Sequence, residues 1–239
     1  MTAHAKKELA PSGTLRIGLN YGNFLLVLKD APDGSPRGIA PDLGRELGRR
    51  LGVPVEFVKF KQAGHLADGV RDEKCDVGFL GAEPQRANEI AFTSAYLEIP
   101  VTFLVRANSD IRSIAEVDRK GVRISVSARS AYDLYLSRTL KNAELMRVEG
   151  IDASYELFVK QNLDVLAGLK PRLVSDAEKL PGSRVLDGQI TGVQQAAGTK
   201  KTRAAGAQYL SQFIEEVKRS GLVAKAIEKH GVRGVTVAA

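Results

Sequence analysis

The sequence predicts an α/β fold in which each sheet is mostly parallel and flanked by helices. Three observations predict it. Short apolar strands alternate with amphipathic helices, the alternation restarts at Gly121, and the chain ends in helices whose apolar stripes need a sheet to cover.

The elements follow in order. "TLRIGLN" turns Leu15, Ile17 and Leu19 to one side, the period of a strand. "PDLGRELGRRLG" spaces Leu43, Leu47 and Leu51 four apart and sets Arg45, Glu46, Arg49 and Arg50 on other faces, which predicts a helix. Gly44 and Gly48 weaken that helix unless it lies tightly on its neighbour, so close packing on a sheet is expected. "VPVEFVKF" reads as a strand, "HLADGVRDE" as a short helix, and "DVGFL" and "IPVTFLV" as the next strands. In the second half "GVRISVS" is a strand and "SAYDLYLSRTLKNA" a helix, with Ser130 and Asp133 at capping-box spacing. The strand "ELMRV", the helix "DASYELFVKQ" and the strands "LDVLAG" and "SRVLD" complete this smaller unit. "GAQYLSQFIEEVKRSG" then places Leu210, Phe213, Ile214 and Val217 on one stripe, and "LVAKAIEKHG" adds a last helix ending at Gly231.

At 239 residues, 44% hydrophobic and 26% charged, the chain is long enough for two modest α/β units. The formal charge of +7 invites acidic partners, but the basic pairs Lys6 with Lys7, Arg49 with Arg50 and Lys200 with Lys201 are interleaved with acids or turns. They read as a solvated surface, not a nucleic-acid patch. No stretch approaches the roughly twenty apolar residues of a membrane span. "MTAHAKKELAPSGT" lacks the apolar segment of a secretory signal, so a periplasmic location requires that a signal was removed and a cytoplasmic one does not. Cys75, the single cysteine, reads as a small buried residue at the mouth of a strand.

The stretch "DVGFLGAEPQRANEIAFTSAY" runs an apolar strand into a tight turn and sets Arg86 just past it. Together with "GTLRIGLN" and "GIAPDLGRELGRRLGVPVEFV", it resembles the bacterial extracellular solute-binding proteins, in the amino-acid-binding group that feeds ABC importers. The resemblance runs from about Gly13 to the final helices. It implies a two-lobed, periplasmic-binding-protein-like fold of type II. Lobe 1 is expected at 13–105 and 193–239 and lobe 2 at 106–192, with 1–12 a flexible tail. The two crossings fall near Arg106 and near Gly188 to Gln195, and hinge closure traps a small ligand.

By the same resemblance Arg86 pairs with the ligand carboxylate, a role that the planar, permanently charged guanidinium fork fits. The alternative is a surface arginine paired with Glu83 or Glu89. Leu80, Gly81 and Ala82 bring backbone close to the ligand. Ser127, Arg129 and Ser130 lie between a strand and a helix N-terminus, where free N–H groups favour an anion, and Ser130 serves equally as a plain cap. Tyr21, Asn23 and Phe24 are candidate walls, with Phe24 otherwise core beneath Leu25 and Leu26. Gln194 joins the site, or else it and Gln195 brace the hinge.

The sequence also departs from the pattern it resembles. Amino-acid binders carry an aspartate just after the strand matching "LDVLAG", and here the chain reads Gly168, Leu169, Lys170. Either Glu83 receives the ligand ammonium, the preferred alternative, or the ligand is a carboxylate without an α-amino group.

His4, His65 and His230 lack partners at metal-ligand spacing, and no nucleophile elbow or P-loop is present, so no metal, cofactor or catalytic constellation is expected. The function expected is capture of a small carboxylate, by preference an amino acid, by a monomer that hands it to an ABC permease. Two alternatives stand beside it: a dehydratase-like enzyme on the same fold with Glu83 as general acid, and an intracellular metabolite sensor.

Overall fold

The computed structural model describes residues 2–239. Along the chain lie α1 (Thr2–Leu9), β1 (Leu15–Asn20), α2 (Ile39–Leu51), β2 (Val55–Phe60), α3 (Ala63–Arg71), β3 (Val77–Gly81) and β4 (Ile90–Val105). There follow β5 (Arg123–Ser127), α4 (Ala131–Thr139), β6 (Glu144–Val148), α5 (Ile151–Lys160), β7 (Val165–Leu169), α6 (Lys170–Lys179) and β8 (Arg184–Val185). The chain closes with β9 (Thr191–Lys200), α7 (Ala204–Arg219), α8 (Leu222–Lys229) and β10 (Thr236–Val237). It divides into two compact units, Met1–Glu98 with Gln194–Ala239, and Ile99–Val193. The boundaries fall inside β4 and β9.

In unit 1 the strand order is β2-β1-β3-β9-β4. β1 runs parallel to β2 and β3, and β9 returns antiparallel to β3 with Gly81 opposite Gln195. α2 lies on this sheet as closely as its glycines require. A Cβ on Gly44 would meet Ile17 at 3.2 Å, and one on Gly48 would come within 2.2 Å of Val55 Cγ2. α3 covers the sheet through Leu66, Ala67 and Val70, which pack with Cys75, Leu80 and Ile90. Burial pushes the Cys75 thiol up to about 12, so the residue is inert packing.

In unit 2 the order is β4-β7-β5-β6, with β5 parallel to both β6 and β7, and β4 antiparallel to β7. Its core gathers Leu104, Phe158, Leu163, Leu166 and Leu173. Arg106 belongs here: its guanidinium stacks on Phe158 at 4.7 Å and donates to the carbonyls of Leu163 and Phe158. The helix begun at Ser130 stops at Thr139, short of the expected Ala143. The backbone N–H groups of Lys141, Asn142 and Ala143 instead turn to the Asp118 carboxylate.

Other elements also differ from the sequence reading, β10 among them, which was not expected. The polar start expected as a tail is α1, because Ala5 and Leu9 bury completely against α7, whose Gly206 leaves room for the Leu9 side chain and donates its N–H to Glu8. "IPVTFLV" is the second half of β4, which starts at Ile90. α6 escaped notice because "KPRLVSDAEK" has a short apolar stripe, although Pro171 suits the first turn of a helix. "TGVQQAAGTK" is β9, rich in Ala, Gly and Gln and poor in strand formers; it is extended because it has a strand on either side.

Candidate ligand-binding site

In unit 1 the C-terminal ends of β1, β2 and β3 face the same way, and the turns that follow them carry the predicted residues. Parallel sheets present their ligands at this edge. β3 ends at Gly81, Ala82 donates its N–H to Gln194 O at 2.8 Å, and a turn of 3-10 helix begins at Arg86, whose N–H is received by Glu83 O. Arg86 is only 8% exposed, so it is not a surface arginine. Its Nη1 donates to the Gly81 carbonyl at 2.7 Å, which folds the guanidinium back under the end of the strand. Leu80 and Gly81 are buried, and Ala82 and Glu83 are partly so.

The turn after β1 is built on its own side chains. Asn23 is buried, and its Oδ1 accepts the N–H of Leu25 while its backbone carbonyl accepts those of Leu26 and Val27. Its amide oxygen thus serves the turn geometry. Phe24 is 39% exposed while Leu25 and Leu26 are buried, so it is not the core residue that its neighbours suggest. The Tyr21 hydroxyl donates to Asp30 at 2.8 Å and its ring carries Lys59 at 5.0 Å. Burial and the Asp30 carboxylate together raise the Tyr21 phenol. A Cβ on Gly22 would strike Lys61 O at 2.6 Å, so the turns after β1 and β2 approach as only glycine permits.

In unit 2 the matching edge is the junction of β5 and α4. Ser127 is buried, Arg129 is exposed in the left-handed region at φ 58°, and Ser130 caps the helix by accepting the Asp133 N–H at 3.1 Å. Asp133 reaches back to the N–H of Arg129, not to that of Ser130, so the capping box is displaced by one residue. Its carboxylate also receives Arg147 Nε at 2.9 Å.

Of the two glutamines, the side chain of Gln194 is exposed and donates to Glu98 at 2.8 Å. Gln195 is buried, and its Oε1 has no hydrogen-bond partner among the described residues. The same holds for Gln62 Oε1, just past β2. Sequence reasoning passed over Gln62. The available signal was its place just past a predicted strand. Among the described residues no cluster of His, Cys, Asp or Glu has the makings of a metal site, and no helix is long and apolar enough to cross a membrane.

Residues 15–233 match the model of the bacterial extracellular solute-binding proteins, family 3. The chain belongs to this family. Solved structures agree on the fold. A solute receptor for L-cysteine from Neisseria gonorrhoeae is 21% identical with a TM-score of 0.80, the alignment covering 98% of this chain and 95% of that one. A mutant of ArgBP from T. maritima is 21% identical at a TM-score of 0.77 over 95% of this chain and 99% of that one. An amino acid ABC transporter substrate-binding protein from Streptococcus pneumoniae, bound to L-arginine, is 17% identical at 0.77 over 98% and 99%. At these identities the likeness establishes the mixed α/β architecture, its sheets flanked by helices, and family membership rests on the matched model.

Proposed function

We propose that this member of the solute-binding family captures a small carboxylate, by preference an amino acid, and presents it to an ABC permease without turning it over. The observation that carries the reading is the place of Arg86, a guanidinium fork just past the C-terminal end of a parallel strand, the edge at which such sheets present their ligands. The guanidinium cannot lose its charge, and its planar fork of donors fits a carboxylate. Relatives of the same fold are described as receptors or binding proteins for L-cysteine and L-arginine, which supports an amino acid here.

In this reading the two units are lobes that close on the ligand, and β4 and β9 are the segments that flex. Leu80, Gly81, Ala82, Tyr21 and Phe24 serve the ligand on unit 1, Glu83 receives its ammonium, and Ser127, Arg129 and Ser130 serve it on unit 2. Closure draws on contacts that only the bound state completes, so ligand shifts the population toward the closed form. The protein works as a monomer and outside the cytoplasm, a location that the family's description as extracellular supports.

The test is a thermal-shift screen of wild type and Arg86→Ala against amino acids, dicarboxylates and aromatic acids. A ligand that binds only the folded state raises the melting temperature. The expected result is a shift with amino acids in wild type and none in Arg86→Ala, whose own unfolding stays close to that of wild type. An equal shift in both proteins removes Arg86 from the site.

A further inference from the structure

Unit 2 has an opening at the end of its sheet opposite Ser127 and Ser130. There the loop that leaves β4, the turn into β5 and the turn into β7 surround a solvent-open cavity of about 590 Å³. A small-molecule site has this size. The buried side chains of Ile111 and Val122 line it together with Arg106, Asp110, Arg119 and Lys120. Gly121, at φ 88°, stands at its wall with open space where a side chain would be.

The charges around the cavity are unevenly answered. Its two acids have partners: Asp110 accepts Arg119 Nη2 at 3.0 Å, and Asp164 accepts the Arg123 N–H at 2.8 Å and its Nε at 3.3 Å. Three cations have no carboxylate partner among the described residues. Arg106 gives Nε and Nη2 to the carbonyls of Leu163, Phe158 and Val159, which fixes the guanidinium over the end of α5 and leaves Nη1 over. Arg184 holds the cavity loop from behind, its Nη2 donating to the carbonyls of Ser109 and Ile111. Lys120 is exposed at the wall itself. Part of the Arg106 charge offsets the carbonyl end of α5, but nothing offsets Lys120. The Arg119–Asp110 pair is solvent-exposed and therefore weak, so Arg119 can turn to a competing anion. Unit 2 carries fourteen lysines and arginines against twelve acids, so this concentration of unanswered cations is local and not a reflection of the unit's net charge. The cavity favours an anion.

We infer that this cavity is a binding site of its own, for a small oxyanion of two or more negative charges. Arg106 is the fixed donor, and Lys120 and Arg119 are the mobile ones that close on the anion. The site lies at the other end of β5 from the residues assigned to the transported ligand, and it does not depend on that assignment.

The experiment titrates wild type, Lys120→Ala, Lys120→Arg and Arg86→Ala with pyrophosphate and with citrate at matched ionic strength, by calorimetry and thermal unfolding, with acetate as the singly charged control and hexaglutamate as an acidic peptide. Lys120 is the position to change because it is exposed and has no partner to lose, so unliganded Lys120→Ala should melt with wild type. Both polyvalent probes are expected to bind wild type and Arg86→Ala alike, about tenfold more weakly to Lys120→Ala, and nearly as well to Lys120→Arg, while acetate binds none of them. A response to pyrophosphate alone or to citrate alone assigns the anion to the phosphate or the polycarboxylate class and upholds the site. Absence of binding by either probe, equal binding to wild type and Lys120→Ala, or loss of binding in Arg86→Ala overturns the inference. Tighter binding of hexaglutamate than of either small anion overturns it too, because the cavity is then part of a protein-docking surface.

Discussion

At one end of β3 Asp76 is completely buried, and at the other Arg86 is nearly so, yet the two charges stand at opposite edges of a parallel sheet. Asp76 is surrounded by charge of opposite sign. Arg16 reaches it through Nε at 3.0 Å and Nη2 at 2.8 Å and adds its backbone N–H, and Arg203 Nη1 reaches it at 2.9 Å. Arg203 also holds Glu73, and Thr199 caps the Asp76 carbonyl. Arg86 lies just past the far end of the strand, and its Nη1 donates to the Gly81 carbonyl. A carboxylate locked among arginines at the start of the strand is structural, whereas a guanidinium fork at the C-terminal edge of a parallel sheet stands where such sheets present ligands.

The largest effect that separates the two ends is expected from Asp76→Ala. It leaves two guanidinium groups facing each other without their carboxylate, and should cost roughly 3–5 kcal/mol in urea unfolding while the folded fraction binds ligand as before. Arg86→Ala is expected to do the reverse. If both variants lose stability equally, the distinction between the two ends fails.

Next comes Leu9→Ala. Leu9 packs where α7 begins, at Gly206, three residues beyond Arg203. Losing this buried side chain should cost about 2–4 kcal/mol and leave ligand affinity alone, which equilibrium unfolding and titration together check. Ser130→Ala removes the cap of α4 and should lower stability by about 1 kcal/mol; because Ser130 also belongs to the proposed site, a loss of affinity beyond that amount assigns it a second role.

The smallest effect concerns acid. Arg49 holds the Glu46 carboxyl down to about 2, with Arg50 helping, against an ordinary value of 4.5. A carboxylate depressed in the folded state stabilises above its unfolded value and loses that contribution as pH falls from about 4.5 toward about 2. Glu46→Gln should therefore flatten the fall in melting temperature over that window and change little at pH 7. A parallel curve for the two proteins assigns the acid transition to other groups.

Much of the fold was legible because its signals are local. The spacing of Leu43, Leu47 and Leu51 marks α2, and Gly44 and Gly48 on the same helix foretold its close seat on Ile17 and Val55. β9 was illegible for the opposite reason: its residues have no strand preference of their own, and hydrogen bonding to its neighbours makes it extended. α1 likewise depends on burial of Ala5 and Leu9 on a helix some two hundred residues away in sequence.

The candidate site divides along the same line. The sequence by itself determined the strand ends, the helix starts and the residue types set there, Arg86 and Ser130 among them, because these depend on short-range pattern and turn chemistry. Which charges are satisfied is a property of groups distant in the chain, and only the tertiary structure decided it. The carboxylate of Asp76 is answered by residues 60 and 127 positions away.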